Sequence, residues 1–526
     1  MAVPTLLAVS GVASSLLNID AQNLSHLAQY VLPSAIRNTL ALVVGVALLS
    51  TVIGVSLAWL TAVCDFPMRR FFVWALLLPM AIPGYVMAFA FVGFFEYTGT
   101  LQSWLRANGI ADALKIEVWM PNIYSYGGVV LVLSLVLYPY IYLLVRNAFK
   151  TQGLRSIEVG RSLGLSVRQS FFRVSLPLAR PWIVGGLLLV VMETLADFGT
   201  VAIFNYDTLT SAIYKSWFSL YSVPAALQVA SVLLLFVLVI TLVERRTRRQ
   251  QQFHNVASTE LSTRSFTLRP WQRWLCFSYC SLVFGLAFVL PSAQLLAWAL
   301  PNLDVELTQQ FWLYVLGSAS LATIAMLLIA SLALLMAFAA RTRSSPVAHF
   351  AVRASTLGYA LPGTVLAIGL FAPVAAMDRW LQALGAESSV LQGTILVMLL
   401  AYSVRFMAVA FAPLESNMLR VTPSLDAAAR SLGVNGMAML RRVHLPIVRG
   451  GLLTAMILVF VDVMKELPIT LMTRPFGFNT LAVRIFELSS EGLWQRAALP
   501  ALAIVLVGLV PVMLLLKQSD REHSAR

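Results

Sequence analysis

Charge is what this sequence has least of: Asp, Glu, Lys and Arg make up 11% of its 526 residues. Soluble domains carry roughly twice that share, so an ordinary water-soluble globular enzyme is excluded. Cysteine is as scarce. Cys64, Cys276 and Cys280 are too few for a disulfide framework. Neither they nor the scattered His26, His254, His349, His444 and His523 fall at zinc-ligand spacing, and the histidines read as structural or solvated. None of the five lysines ends a Gly-x-x-x-x-Gly-Lys-Ser/Thr phosphate loop, which excludes ATP hydrolysis by this chain alone. The apolar stretches also lack a nucleophile-base set or metal-ligand cluster, which argues against a membrane-embedded enzyme.

What the chain has instead is hydrocarbon. It is 59% apolar with a mean hydropathy of +0.82, and many of its windows are long enough to cross about 30 Å of bilayer core. The pattern predicts an all-α polytopic membrane protein. Spans are expected near residues 2–18, 40–63, 71–95, 127–147, 182–204 and 225–243, and again near 275–300, 313–340, 347–372, 391–412, 450–472 and 498–516. The first segment is short and has no basic flank, so it is neither a good signal peptide nor a secure span. Eleven and twelve spans both fit.

The net charge of +14 does not point to nucleic acid. The basic residues gather in alternate short loops, such as Arg69–Arg70, Arg146–Arg180, Arg341–Arg343 and Arg420–Arg449. That asymmetry places these loops in the cytoplasm. The protein is therefore expected to cross a membrane many times with these loops on its cytoplasmic side, with lipid as its surroundings.

One motif occurs twice. Arg161-Ser162-Leu163-Gly164 followed by Leu176-Pro177 returns, 269 positions on, as Arg430-Ser431-Leu432-Gly433 followed by Leu445-Pro446. Each copy reads as two short helices broken at the glycine, with Gly164 and Gly433 suited to the left-handed position that ends a helix. Ser166 and Asn435 are placed to cap the second helix, and each proline to start the next span. Phe171 and Phe172 in one copy, and Met437 and Met439 in the other, put an apolar knob on a basic face.

Other matches keep the same order. Pro83-Gly84 resembles Pro362-Gly363, and Asp207-Thr208-Leu209 resembles Asn479-Thr480-Leu481. The chain thus divides into two parallel, pseudo-twofold halves, residues 1–243 and 274–526. A polar cytoplasmic linker, 244–273, joins them.

In the span after each knob lies an acidic pair at i, i+4: Glu193 with Asp197, and Asp462 with Glu466, again 269 apart. A rise of about 1.5 Å per residue puts Glu193 about 18 Å beyond Pro181, near the bilayer centre. An ionisable group there is a functional-site candidate by default, and four hard oxygen donors suit a highly charged cation. The structural alternative is that Asp197 and Glu466 cap or line a helix end, that Arg405 pairs with Asp462, and that Lys465 neutralises part of the second pair.

The segments Glu158–Gly164 and Ala427–Gly433, with their Leu-Pro endings, resemble the EAA loops of permease subunits in bacterial ATP-binding-cassette importers. Met192–Thr200 and the stretch from Lys465 through Ala482 resemble the fused permeases that import ferric iron. The first loop departs from the family in having Val159-Gly160 in place of two alanines. The second has Ala427 at the glutamate position, with Asp426 one residue earlier.

The resemblance implies a type I importer transmembrane fold with EAA loops over 150–181 and 413–449. Glu158, Gly164, Phe171, Asp426, Gly433 and Met437 would couple these loops to two copies of an ATPase subunit on the cytoplasmic face. A periplasmic binding protein would deliver the substrate. ATP and magnesium would belong to the ATPases, and this chain would bind no cofactor. Related fused permeases carry thiamine or phosphonates, so the solute stays open between these and iron. An ion-coupled secondary carrier also has repeats and intramembrane carboxylates, but it has no use for two matched cytosolic knobs.

Overall fold

In the computed structural model, residues 1–15, 27–110, 122–249, 266–342, 345–385 and 390–524 are described. Most of the expected linker, residues 250–265, and the end of the first expected span lie outside them. Among the described residues ten helices are long and apolar enough to cross a bilayer. The pair Arg69–Ala81 and Gly84–Ala107, bent by 94° at its break, makes an eleventh if it is one broken span rather than a re-entrant loop. Strand structure is limited to the two-residue ladder of Cys64–Asp65 with Phe266–Thr267.

The first segment does not supply a twelfth span. It forms the 13-residue helix Ala2–Ser14, about 20 Å long against a core of about 30 Å. Four expected spans, 71–95, 182–204, 347–372 and 450–472, are broken rather than continuous. Two breaks come from X-Pro dipeptides, because the residue before proline is pushed out of the helical region. Ile82 (φ −91°, ψ 117°) and Leu361 (φ −79°, ψ 127°) are extended, and new helices start at Gly84 and Gly363. The other two breaks fall at Asp197 and Glu466, both extended.

Prolines shape a second device. The π-helical turns Leu27–Val31, Phe171–Ser175, Gly285–Val289 and Leu440–His444 each end two residues before a proline: Pro33, Pro177, Pro291 and Pro446. A proline cannot donate to the fourth carbonyl behind it and its ring crowds that carbonyl. The chain widens by one residue there, and the Leu176, Leu290 and Leu445 amides reach back five residues to Phe171, Gly285 and Leu440.

The residues pack into two compact units, each drawing on both sequence halves. One comprises Met1–Leu32, Ala212–Leu234 and Asp304–Glu487. Its core is the mutual packing of the helices Gln309–Thr342, Ile395–Met418 and Leu445–Lys465. The short N-terminal helix lies along Gly363–Ala383, so closely that a Cβ on Gly11 would stand 2.2 Å from the Gly369 carbonyl oxygen.

The other unit comprises Pro33–Ser211, Leu235–Leu303 and Leu488–Arg526. There the helix Gly84–Phe95 is apolar on every side and buried almost throughout, as expected of a helix with no wet face. The helix Tyr126–Ser162 packs on Leu176–Ala196 and runs for 37 residues. At about 55 Å it outruns the bilayer core and carries the chain directly into the first knob.

Candidate functional site

The knobs form as the sequence predicts, with informative differences. Gly164 (φ +80°) and Gly433 (φ +75°) are left-handed. In each, the amide after the glycine closes a six-residue loop: Leu165 N–H donates to Gly160 O and Val434 N–H to Ala429 O, both at 2.9 Å. These are the bonds of a Schellman ending. Ser166 builds a complete capping box with Gln169. Asn435 stands at the matching cap position but makes no side-chain cap bond.

The first limbs differ as well. In the first knob this limb is the unbroken end of Tyr126–Ser162. In the second, Leu419–Thr422 interrupts the chain and Pro423 starts a separate helix, Pro423–Ser431. The apolar surface forms, but from a partly different set than expected, since Met439 is buried. Val159, Leu163 and Phe172 are exposed on the first knob, and Leu425, Leu432 and Met437 on the second. Glu158 is exposed too. Phe171, by contrast, turns inward, its ring 4.5 Å from that of Trp59, so Phe172 is the outward aromatic.

Asp426 does not present a free carboxylate. It accepts from Arg341 Nη2 at 2.9 Å and Nε at 3.1 Å, and lies 2.7 Å from His444 Nε2. It thereby ties the second knob to the ends of two spans. Burial works against its charge, but the hydrogen bonds from His444 and Arg341 and the Arg341 charge together hold its carboxyl below the usual value. His444 is fully buried, a structural histidine as expected. In the first knob a hydroxyl pair, Ser156 with Ser175, closes the corresponding gap.

The membrane carboxylates resolve into two matched breaks. Asp197 Oδ2 accepts from Thr200 Oγ1 at 2.8 Å and Oδ1 from the Val201 amide at 3.2 Å. It caps the short helix Gly199–Ile203. Glu466 Oε1 accepts from the Ile469 amide at 3.1 Å and caps Pro468–Thr473. A threonine secures the carbonyl of each: Thr210 Oγ1 on Asp197 O and Thr470 Oγ1 on Glu466 O, both at 2.7 Å.

Both caps lie against the Pro-Gly breaks. A Cβ on Gly84 would be 2.6 Å from Thr200 Oγ1 and 3.2 Å from Asp197 Oδ2. One on Gly363 would be 2.9 Å from Glu466 Oε1. Two motifs that the sequence repeats at separate places therefore meet in each unit, with a carboxylate at the positive end of a half-helix.

Arg405 pairs with Glu466, Nε to Oε2 at 3.5 Å, a pairing that the sequence did not suggest. The reason is local: Arg405 also donates to Leu361 O at 2.9 Å, which draws its guanidinium to the break. Lys465 interacts with Asp462, as expected. Glu193 and Asp462 are half-buried, one turn before their caps. Among the described residues no group of three or more His, Cys, Asp and Glu side chains is arranged to hold a metal ion. Sequence reasoning missed Arg341, Tyr402 and the capping threonines. Tyr402 and Thr470 bond at the break, and only their place beside the repeated motifs could have signalled them.

Comparison with known proteins supplies the family. The model described as "Binding-protein-dependent transport system inner membrane component" matches residues 50–249 and 329–523. The chain is 26% identical over 490 residues to an Fe(3+)-transport system permease protein, FbpB 2, of Haemophilus influenzae. That alignment covers 92% of this chain and 89% of the relative. A sulfate transport system permease protein, CysW, of Synechocystis is 29% identical over 43% of this chain and 79% of its own length. A molybdenum transport system permease protein, ModB, of Haemophilus influenzae is 24% identical over 40% and 89% respectively.

Proposed function

The chain belongs to the inner membrane components of binding-protein-dependent transport systems, and on that premise we propose that it forms the path by which ferric iron crosses the membrane. The observation that carries the reading is the half-buried carboxylate one turn before the break of each post-knob span, Glu193 and Asp462, with the capping Asp197 and Glu466 beyond. Oxygen ligands of this hardness suit a small trivalent cation, and an iron permease aligns along nearly the whole chain. The caps would hold the half-helices in place, and Glu193 and Asp462 would meet the cargo.

In this reading the two knobs face the cytoplasm and seat in two ATPase subunits, whose closure is transmitted through the knobs to the membrane spans. Their exposed leucines, Phe172 and Met437 are the contacts, and a periplasmic binding protein delivers the cargo. Sulfate, molybdate and phosphonate permeases also align, so an oxyanion or another small solute is the second reading.

The test is uptake by the assembled complex in proteoliposomes. Ferric iron uptake that needs internal ATP and falls at least about tenfold, the effect of about 1.4 kcal/mol, in the Glu193→Gln, Asp462→Asn double variant supports it. Uptake of sulfate or 2-aminoethylphosphonate but not iron would replace the cargo. Uptake driven by a proton gradient without ATP would replace the mechanism.

A further inference from the structure

A cavity of about 570 Å³ opens beside the first knob. Its apolar walls are Trp59, Phe171 and Phe266, and its polar groups are Arg168, Arg269 and Gln272. All lie in one compact unit. No ion pair involves either arginine among the described residues, whereas neighbouring Arg273 is engaged by Asp65 at 3.4 Å. The volume is that of a small-molecule site, and two guanidiniums with no carboxylate against them select an anion that can take forked hydrogen bonds.

The surroundings say what the anion is attached to. Trp59 lies one turn before the end of Leu32–Val63, and Arg269 caps the start of Pro270–Phe284. Both therefore stand where spans leave the hydrocarbon. Trp271, Trp274 and Leu275 follow at once and are exposed to 62%, 61% and 63%. Exposed tryptophans at a span end mark the headgroup level. A phosphate held there, against three aromatic rings, has an apolar body entering the bilayer.

We propose that this cavity binds one anionic phospholipid, its phosphate between Arg168 and Arg269 and its glycerol and upper acyl chains against Trp59, Phe171 and Phe266. Arg168 belongs to the knob and Arg269 to the span that opens the second half of the sequence, so the lipid braces the first knob. The position at the cytoplasmic leaflet rests on the orientation proposed above. The binding itself does not.

The test uses the full purified chain in detergent, titrated with phosphatidylglycerol or phosphatidylcholine and read by native mass spectrometry. Arg168→Gln with Arg269→Gln weakens the tightest phosphatidylglycerol about thirtyfold, the worth of two basic residues at a membrane surface. Arg168→Lys with Arg269→Lys keeps the charges but loses the forks, so its affinity falls between the wild type and the double glutamine variant, and Arg273→Gln leaves it unchanged. Unaltered binding in the double glutamine variant overturns the proposal. So does displacement by inorganic phosphate or glycerol phosphate at the lipid's own concentration, which would make the ligand soluble. A second arm needs no arginine variant: brominated phosphatidylglycerol quenches the wild-type chain more than Trp59→Phe, and equal quenching overturns the site. Neither readout involves transport, so failure of the import reading would leave both intact.

Discussion

At the scale of the residue, the same carboxylate chemistry does two different jobs. Asp426 is a staple outside the membrane core, held by Arg341 and His444. Its folded carboxyl sits below its usual pKa. It therefore contributes stability above the ordinary carboxylate range, and loses it as pH falls through the lowered folded value. Asp426→Asn removes one partner of a mostly buried network and is expected to cost about 1–3 kcal/mol locally. Hydrogen exchange should then speed up at the Val434 amide at neutral pH, and the wild-type chain should show the same loosening only in acid. Equal protection in both proteins at neutral pH would mean that the staple does not hold the knob. Asp197 and Glu466, by contrast, fix half-helices, and the glycines facing them leave no room. Gly363→Ala would place a methyl 2.9 Å from Glu466 Oε1 and 3.1 Å from Pro468 Cγ. An overpacking cost of about 1–3 kcal/mol is expected, seen as a lower melting temperature of the solubilised chain.

At the scale of the element, the knobs can be mutated without touching the core. Nothing lies within 4 Å of a Cβ built on Gly164 or Gly433, so a side chain meets no clash there. The cost is the left-handed backbone alone, about 1–3 kcal/mol for a β-branched residue. Gly164→Val with Gly433→Val should leave the chain inserted and assembled while ATP hydrolysis no longer drives uptake. Unchanged coupling would show that the hinge shape is not transmitted. These hinges were legible in the sequence because Arg-Ser-Leu-Gly recurs with its proline at fixed spacing. The broken spans were not, because hydropathy sums a window and is blind to a single X-Pro or a single capping carboxylate within it. Pro83-Gly84 and Pro362-Gly363 were visible as a repeat, but their partners were not. Only folding brings residue 84 to 197 and residue 363 to 466, and a spacing of about a hundred residues carries no local signal. Phe171 and Phe172 show the same limit at one residue's distance: the π turn before Pro177 rotates one ring onto Trp59 and leaves the other outside.

At the scale of the whole molecule, the covalent halves and the compact units do not coincide. One unit takes Met1–Leu32 and Ala212–Leu234 from the first half, and the other takes residues 274–303 and Leu488–Arg526 from the second. Burial follows the units. Gly11, from the first half, is pressed onto Gly369, from the second. Neither half can bury these surfaces by itself, since a small-residue helix contact in lipid gains its stability from close backbone approach. Cutting the chain between residues 250 and 265 and expressing the pieces separately should therefore give two unstable fragments. Co-expression should restore a complex that migrates as the intact chain, because the exchanged segments re-form the same contacts without the linker. Gly11→Leu should weaken that reassembly more than a substitution at exposed Leu6 or Leu7, because the added side chain meets backbone rather than solvent. Two fragments that are each monodisperse and heat-resistant alone would show that the exchanged helices add nothing to the units, and that the sequence halves are the folding units after all.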